Sequence, residues 1–453
     1  MTSEQREYRP SQVHNAFAAN PPLPGVVILG GAHGALAVAR SFGRQNIPVV
    51  LVTDDHPLPK FSRYVRQSYA WSVAKSSDPC KWLSDLARKH DLRDWLLIPC
   101  GDSEVALVSE NMEILRADYQ MISSPWANLR HLCNKQLLAA TAGRAGIDCP
   151  ANYSIGSIEE AENLAVVFPV ILKPAMRTER NAFTSAKAWR ANSREELIER
   201  YRAASLLVGS RDVVVQEFIP GGGEAQFSYA GLWRDNAPVA EMTARRTRQY
   251  PVEFGYTSTL VETVSNPEIR GLARKLLSST GFEGFVEVEF KFDVRDGKYK
   301  ILDVNPRPWS WFGLCDAAGL DLPGVLTLTM TGKRVTPVIA DPGLAWIHVV
   351  RDLMASTQLV FGGSLGVTDY LKSISQKLSF AAFAFDDPLP GLLELPSTLL
   401  RVLTRWLTPA RRSFTIKQIA AGNREAAADS ETKSFSETHA QARKMSALGR
   451  KPT

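Results

Sequence analysis

From Val26 the chain alternates fully apolar runs with helix-length segments. "VVILGGAHGALAVARSFGRQNIPVVLVTDD" holds one apolar run, a glycine turn, a stretch of small and apolar residues stopped near Gly43, and a second apolar run ending at Asp54 and Asp55. Short apolar runs bounded by turn residues are strands covered on both faces, so this stretch predicts a βαβ unit. "CKWLSDLARKHDLRDWLLIPCGDSEVALVSEN" repeats the alternation. An open parallel α/β sheet is therefore expected over residues 25–130.

Beyond residue 131 the rhythm changes. Helices are predicted for "NKQLLAATAGRAG" and "SIEEAENLAVVF", and short strands for "PVILKPA", "DVVVQEFIP", "AQFSYAGLW" and "GFVEVEFKFDV". Loops and hairpins separate these strands, which predicts largely antiparallel sheets in an α+β domain over 131–330. Residues 331–419 carry a weaker pattern and are expected as a helical extension. Within it Leu399, Leu400, Leu403 and Leu407 fall at helical spacing beside Arg401, Arg405, Arg411 and Arg412. A basic amphipathic helix over 395–417 could touch an anionic membrane surface or pack on its own domain, and packing is the blander reading. Residues 1–24 and 420–453 are polar and are expected as a disordered arm and tail.

Composition narrows the classes. Across 453 residues there are 53 basic and 47 acidic side chains, a small excess for so long a chain, and no nucleic-acid motif accompanies it. No nucleic-acid partner is expected. Five cysteines are scattered without a CxxC pair, which fits a reducing cytoplasm, and no apolar run reaches the ~18 residues of a membrane span. Gly30, Gly31 and Gly34 hint at a dinucleotide turn, but the G-x-G-x-x-G spacing is broken and a strand-to-helix turn explains them.

The stretch "GFVEVEFKFDVRDGKYKILDVNPR" reads as a hairpin. Val286, Val288, Phe290 and Phe292 alternate with Glu287, Glu289, Lys291 and Asp293. A two-residue turn would set Phe290 against Asp303. A three-residue loop of Arg295, Asp296 and Gly297 sets Glu289 against Asp303 and Glu287 against Asn305, keeping like with like. Carboxylates directly across an antiparallel pair, about 4.5–5.5 Å apart at Cβ, repel unless neutralised. A divalent cation bound by Glu289, Asp303 and Asn305 would do so, and an oxygen set of this kind suits Mg²⁺ with substrate phosphates completing the shell. Arg307 could then grip a phosphate or carboxylate. The alternative is a solvated strand face with Lys291 and Arg307 pairing the acids.

These residues resemble the C-terminal signature of the ATP-grasp superfamily, an acid on one strand and a Glu/Asp-x-Asn-Pro-Arg end to the next. Here they are Glu289 and "DVNPR", with Asp303 where Glu is commoner. Other segments fall in the family's order over residues 131–315. The resemblance implies a pre-ATP-grasp α/β domain followed by a two-subdomain ATP-grasp fold. It implies Lys135 and Lys173 on ATP phosphates, and Gln216, Glu217, Phe218 and Ile219 around the adenine. Glu224 would hold the ribose hydroxyls. The loop after Lys173 departs from the family by lacking glycine, offering Arg177, Arg180 and Lys187 instead. Those charges would replace backbone amides in gripping phosphate, or the loop serves another substrate. Arg245, Arg246 and Arg248 in "TARRTRQYP" would stabilise the γ-phosphate or a carboxylate substrate, one or two of the three sufficing.

The resemblance implies ATP and Mg²⁺, with Mn²⁺ an alternative, small carboxylate and amine substrates of amino-acid type, and amide formation through an acylphosphate. "RRTRQYP", "FEGFVEVEFKFD" and "DVNPRPW" most resemble carboxylate-amine ligases of the D-aspartate ligase kind. Other readings stay open: ATP-dependent carboxylation, a nucleotide-binding protein without turnover, or an NAD oxidoreductase on the N-terminal sheet. A homo-oligomer is neither required nor excluded.

Overall fold

The computed structural model describes residues 23–53, 58–73, 76–176, 181–186, 188–255, 257–333 and 335–407, the last eight as backbone only. Five parallel strands form the first sheet: β1 (Val26–Leu29), β2 (Val49–Val52), β3 (Val65–Tyr69), β4 (Trp95–Pro99) and β5 (Tyr119–Gln120), in the order β3-β2-β1-β4-β5. Every residue of β1 and β2 is buried, as helices on both faces require. The strand order reverses between β1 and β4, so Gly30 and Gly101, just past their carboxyl ends, flank the switch point where such sheets open a crevice. Leu23, expected in the N-terminal arm, is already in the core.

A four-stranded antiparallel sheet follows, β6 (Asn152–Tyr153), β7 (Val170–Pro174), β8 (Trp189–Ala191) and β9 (Val213–Glu217), ordered β6-β9-β7-β8. The acidic helix beside it is shorter than predicted. Ser157 caps it and it spans only Ile158–Asn163.

The third sheet has eight strands. β10 (Gln226–Arg234), β11 (Ala237–Tyr250), β12 (Thr257–Val264), β13 (Gly284–Asp293) and β14 (Lys298–Asn305) are joined by β15 (Val338–Ile339), β16 (Ala345–Ile347) and β17 (Leu378–Phe380). The segment after residue 331 is thus no purely helical extension: β15 pairs with β11, β16 with β12, and β17 with β16. Helix Leu389–Leu407 starts six residues before the anticipated basic helix, and its docking begins just upstream, where Asp387 meets Arg40 at 2.9 Å with both side chains buried. Residues 408–417 of the expected basic helix, the arm to residue 22 and the tail lie outside the described residues.

The hairpin with the acid-amide end reaches the expected register by another route. The turn is four residues, 294–297, with Gly297 at φ +72°, and Asp293 pairs with Lys298. A bulge between Glu289 and Phe290 takes up one extra residue of β14, and beyond it Glu289 faces Asp303 and Glu287 faces Asn305. Both faces of β13 are covered, since Glu287, Glu289, Lys291 and Asp293 are buried like the apolar residues between them.

Asp293 anchors the turn. Its carboxylate accepts from Arg295 Nε at 2.8 Å and from Lys300 Nζ at 2.7 Å, and the Arg295 hydrogen bond chiefly holds its pKa below the usual carboxylate range. A carboxyl depressed in the folded state stabilises above its unfolded pKa of about 3.9 and loses that contribution as pH falls further. Asp293→Asn is accordingly expected to lower the urea midpoint at neutral pH and to match wild type once pH drops well below about 4. Equal midpoints at neutral pH would remove the clamp's role in stability.

Candidate active site

One face of β13 carries Glu287, Glu289 and Lys291, with alternate residues about 7 Å apart along the strand. On the neighbouring strand β10, Ala230, Ser228 and Gln226 lie opposite them. Glu287 Oε1 accepts from Ser228 Oγ at 3.1 Å and from the Trp311 indole at 2.9 Å. Asn305 Nδ2 bridges Glu287 at 3.2 Å and Glu289 at 3.3 Å. Arg246 enters from β11, 3.1 Å from Glu289 and 3.8 Å from Glu287, and donates to Gln226 at 3.1 Å. Although burial favours its neutral form, the charges of Glu289 and Glu287 keep the guanidinium charged.

Asp303 leaves β14 beside Lys135, whose Nζ is 3.6 Å from Oδ1. Lys135 opens the helix Lys135–Arg144, capped by Asn134, and its backbone N–H donates to Ala175 at the end of β7. Arg307 binds Asp102 at 2.5 Å and reaches the Asn305 carbonyl at 3.4 Å. Lys135, Asp303 and Asn305 border a cleft of about 310 Å³, within the range of small-molecule sites, whose other wall is the helix Asp102–Glu110 and Met176.

At the other end of the row, Lys291 Nζ donates to the carbonyls of Ile219 at 2.9 Å and Gly221 at 2.6 Å, fixing the extended segment after β9. Phe218 lies under the Arg190 guanidinium, 4.7 Å away. The side chain of Glu217 is drawn back to Arg295 and to the Ala151 amide, away from any ligand role of its own. Lys173 donates to Gln216 at 2.9 Å, and Gln216 donates to Asn152 at 2.8 Å, so the two are held as a buried pair. Glu224 is exposed and accepts from the Gly222 amide at 2.8 Å.

The donor chemistry bears on a divalent cation. Glu287 is pushed above the usual carboxylate range, first by burial and then by the charge of Glu289. Glu289, Asp303 and the Asn305 amide gather hard oxygen atoms at the end of the hairpin. That arrangement fits Mg²⁺.

The structure separates the three arginines that the sequence grouped. The β11–β12 register slips between Arg245 and Arg248, and each side chain finds a different partner. Arg245 pairs with Glu262 at 3.1 Å, while Arg248 forms a bidentate pair with Asp352 at 2.9 and 2.8 Å, both nearly inaccessible. Arg248 is a packing cation, and only Arg246 joins the acids. Lys187, Arg177 and Arg180 lie outside the described residues. Trp309 and Trp311 are core residues rather than pocket lining, and Trp311 orients Glu287. Sequence reasoning overlooked Asp102. Its signal was position: an acid directly after Gly101 at a strand's carboxyl end beside the switch point.

Cys133 borders the cleft, but burial, then the charges of Asp102 and Asp303, push its thiol up to about 12. It carries no thiolate at neutral pH and is no nucleophile. The glycine turn is explained by packing, because a Cβ on Gly34 would sit 2.9 Å from the Trp309 carbonyl oxygen.

No protein-family profile matches the chain. D-aspartate ligase of Enterococcus faecium is 22% identical over 303 residues, 62% of this chain and 70% of that protein. The carbamoyl phosphate synthase large chain of Methanothermobacter thermautotrophicus is 22% identical over 195 residues, 42% of this chain but only 18% of that protein. Among solved structures, the biotin carboxylase domain of Hydrogenobacter thermophilus 2-oxoglutarate carboxylase, complexed with MgADP and bicarbonate, superposes with a TM-score of 0.53 at 17% identity, covering 71% of this chain and 73% of that one. L-amino acid ligase from Bacillus licheniformis gives a TM-score of 0.51 at 13% identity, covering 67% and 73%. In the order of its three sheets and in its acid-amide hairpin end beside two cations, the chain has the fold of the ATP-grasp ligases that it resembles.

Proposed function

We propose that the chain is an ATP-dependent carboxylate-amine ligase. The observation that carries this reading is the end of the β13–β14 hairpin beside the cleft, where Glu289, Asp303 and Asn305 meet Arg246 and Lys135, with no activated side-chain nucleophile among the described residues there. In this reading Glu289, Asp303 and Asn305 hold Mg²⁺, which offsets the charge of the phosphates when bound. Lys135 and Lys173 steady those phosphates, and the backbone of Glu217 to Ile219 lies along the adenine with Gln216 behind it. Ile219 offers its N–H, since Lys291 already occupies its carbonyl. Glu224 swings from the Gly222 amide to the ribose hydroxyls.

Arg246 is placed to stabilise charge as a substrate carboxylate oxygen attacks the γ-phosphorus and ADP departs. An amine then attacks the acyl carbon of the resulting acylphosphate, phosphate leaves with the bonding pair, and the nitrogen loses a proton. Arg307, already tied to Asp102, positions Asn305 and borders the carboxylate's approach. The amino-acid character of the substrates rests on the D-aspartate ligase and L-amino acid ligase relatives.

The test is phosphate release from ATP and Mg²⁺ with pools of amino acids and small carboxylates, followed by mass analysis of the products. Release that requires both a carboxylate and an amine, with loss of one water in the product mass, is the expected result. Release that requires bicarbonate alone would assign carboxylation instead, and release independent of any carboxylate would overturn the ligase reading.

A further inference from the structure

Three distant parts of the chain meet at a second cluster, none of whose residues lines the cleft described above. His33 belongs to the glycine turn that opens helix Ala32–Arg44, His348 follows β16, and Glu394 lies in helix Leu389–Leu407. Their donor atoms lie within 4.8 Å of one another. His33 Nε2 is 2.8 Å from Glu394 Oε1, and His348 Nε2 is 3.4 Å from the same oxygen. Tetrahedral zinc with bonds of about 2.0–2.1 Å sets its ligand atoms about 3.3 Å apart, a spacing that these two distances bracket.

His348 supplies the independent sign of a ligand. Only 3% exposed, it has no hydrogen-bond partner at either ring nitrogen, because the 3.4 Å approach to Glu394 lacks hydrogen-bond geometry. Polar atoms this deep are ordinarily satisfied, and each exception calls for a reason such as an ion. The His33 ring packs against the His348 ring at 4.4 Å between centroids.

We propose that His33, His348 and Glu394 form a binding site for one divalent transition-metal ion of the zinc class. Two imidazoles and one carboxylate favour Zn²⁺ or Co²⁺ over the oxygen-seeking Mg²⁺. Three protein ligands leave a fourth position for water. Bound there, the ion ties the first sheet to the large sheet and the C-terminal helix, so its effect falls on stability rather than on the ligase chemistry.

The test uses full-length protein stripped with a chelator, held in excess Mg²⁺, and titrated with Zn²⁺ alone against a chromophoric competitor. One equivalent should bind, Co²⁺ should show tetrahedral visible bands, and Zn²⁺ should raise the melting temperature. His33→Asn, at a partly accessible position, and Glu394→Gln, which keeps the side chain's size and shape, should stay folded by circular dichroism and weaken Zn²⁺ binding by about 100-fold or more. Asn305→Ala should bind Zn²⁺ as wild type does. Binding below half an equivalent, or an affinity unchanged in both His33→Asn and Glu394→Gln, would overturn the site.

Discussion

Asn305→Ala is expected to lower ATP-dependent turnover by roughly 10³-fold while the chain stays folded. The side chain does two things at the cleft edge. Its Nδ2 bridges Glu287 and Glu289, and its Oδ1 faces Arg307. Alanine removes an oxygen donor from the proposed Mg²⁺ set and leaves two neighbouring carboxylates without the hydrogen bond they share. The loss to stability is small, about 1–3 kcal/mol, because Asn305 is only half-buried at the end of its strand. Single-turnover phosphate release and a thermal melt on the same preparation separate the two effects. Turnover within tenfold of wild type in a folded variant would remove Asn305 from the metal set. Asn305→Asp is expected to fare no better, since a fourth carboxylate beside Glu287, Glu289 and Asp303 adds to the repulsion that already raises Glu287.

The largest stability effect is expected at Asp352. Its carboxylate is fully buried, receives both arms of Arg248, and also accepts from Thr259 Oγ1 at 2.8 Å. Arg248 donates further to Ser373 at 2.7 Å and lies over the Tyr370 ring at 5.1 Å. Asp352→Ala strands a guanidinium that is 3% exposed, and breaking such a pair from one side typically costs about 3–5 kcal/mol. Replacing both partners, as Arg248→Met with Asp352→Leu, should recover much of that loss because no uncompensated charge remains. Denaturant midpoints of the single and double variants measure the difference. The same double variant tests catalysis: turnover near wild type places Arg248 in packing, whereas a hundredfold loss in the folded protein would return it to the active site.

The contrast between Arg246 and Arg248 shows where sequence reasoning stopped. Both stand in "TARRTRQYP" with equal chemistry and matching parity, and nothing local distinguishes them. A slip in the β11–β12 register and an aspartate about a hundred residues downstream assign one to the acids and the other to the core. The hairpin teaches a related lesson. Pairing like with like placed Glu289 against Asp303, because a one-residue slip would expose every side chain to the wrong face. The turn deduced from that register was one residue too short, and a bulge in the strand supplied the missing residue. Patterning constrains faces over a whole strand, but it does not say where the spare residue goes.

The parallel sheet after Val26, the strands that carry Lys173, Gln216 and Glu289, and the acid-amide end of β14 were legible in the sequence alone, because periodicity and turn chemistry are local. Three things were decided only by the tertiary structure. The charged face of β13 is buried rather than wet, Asp102 reaches across to Arg307, and the chain after residue 331 completes the large sheet. Each depends on which distant segment covers a given face, and that choice is made by the summed packing of the whole chain rather than by any stretch of it.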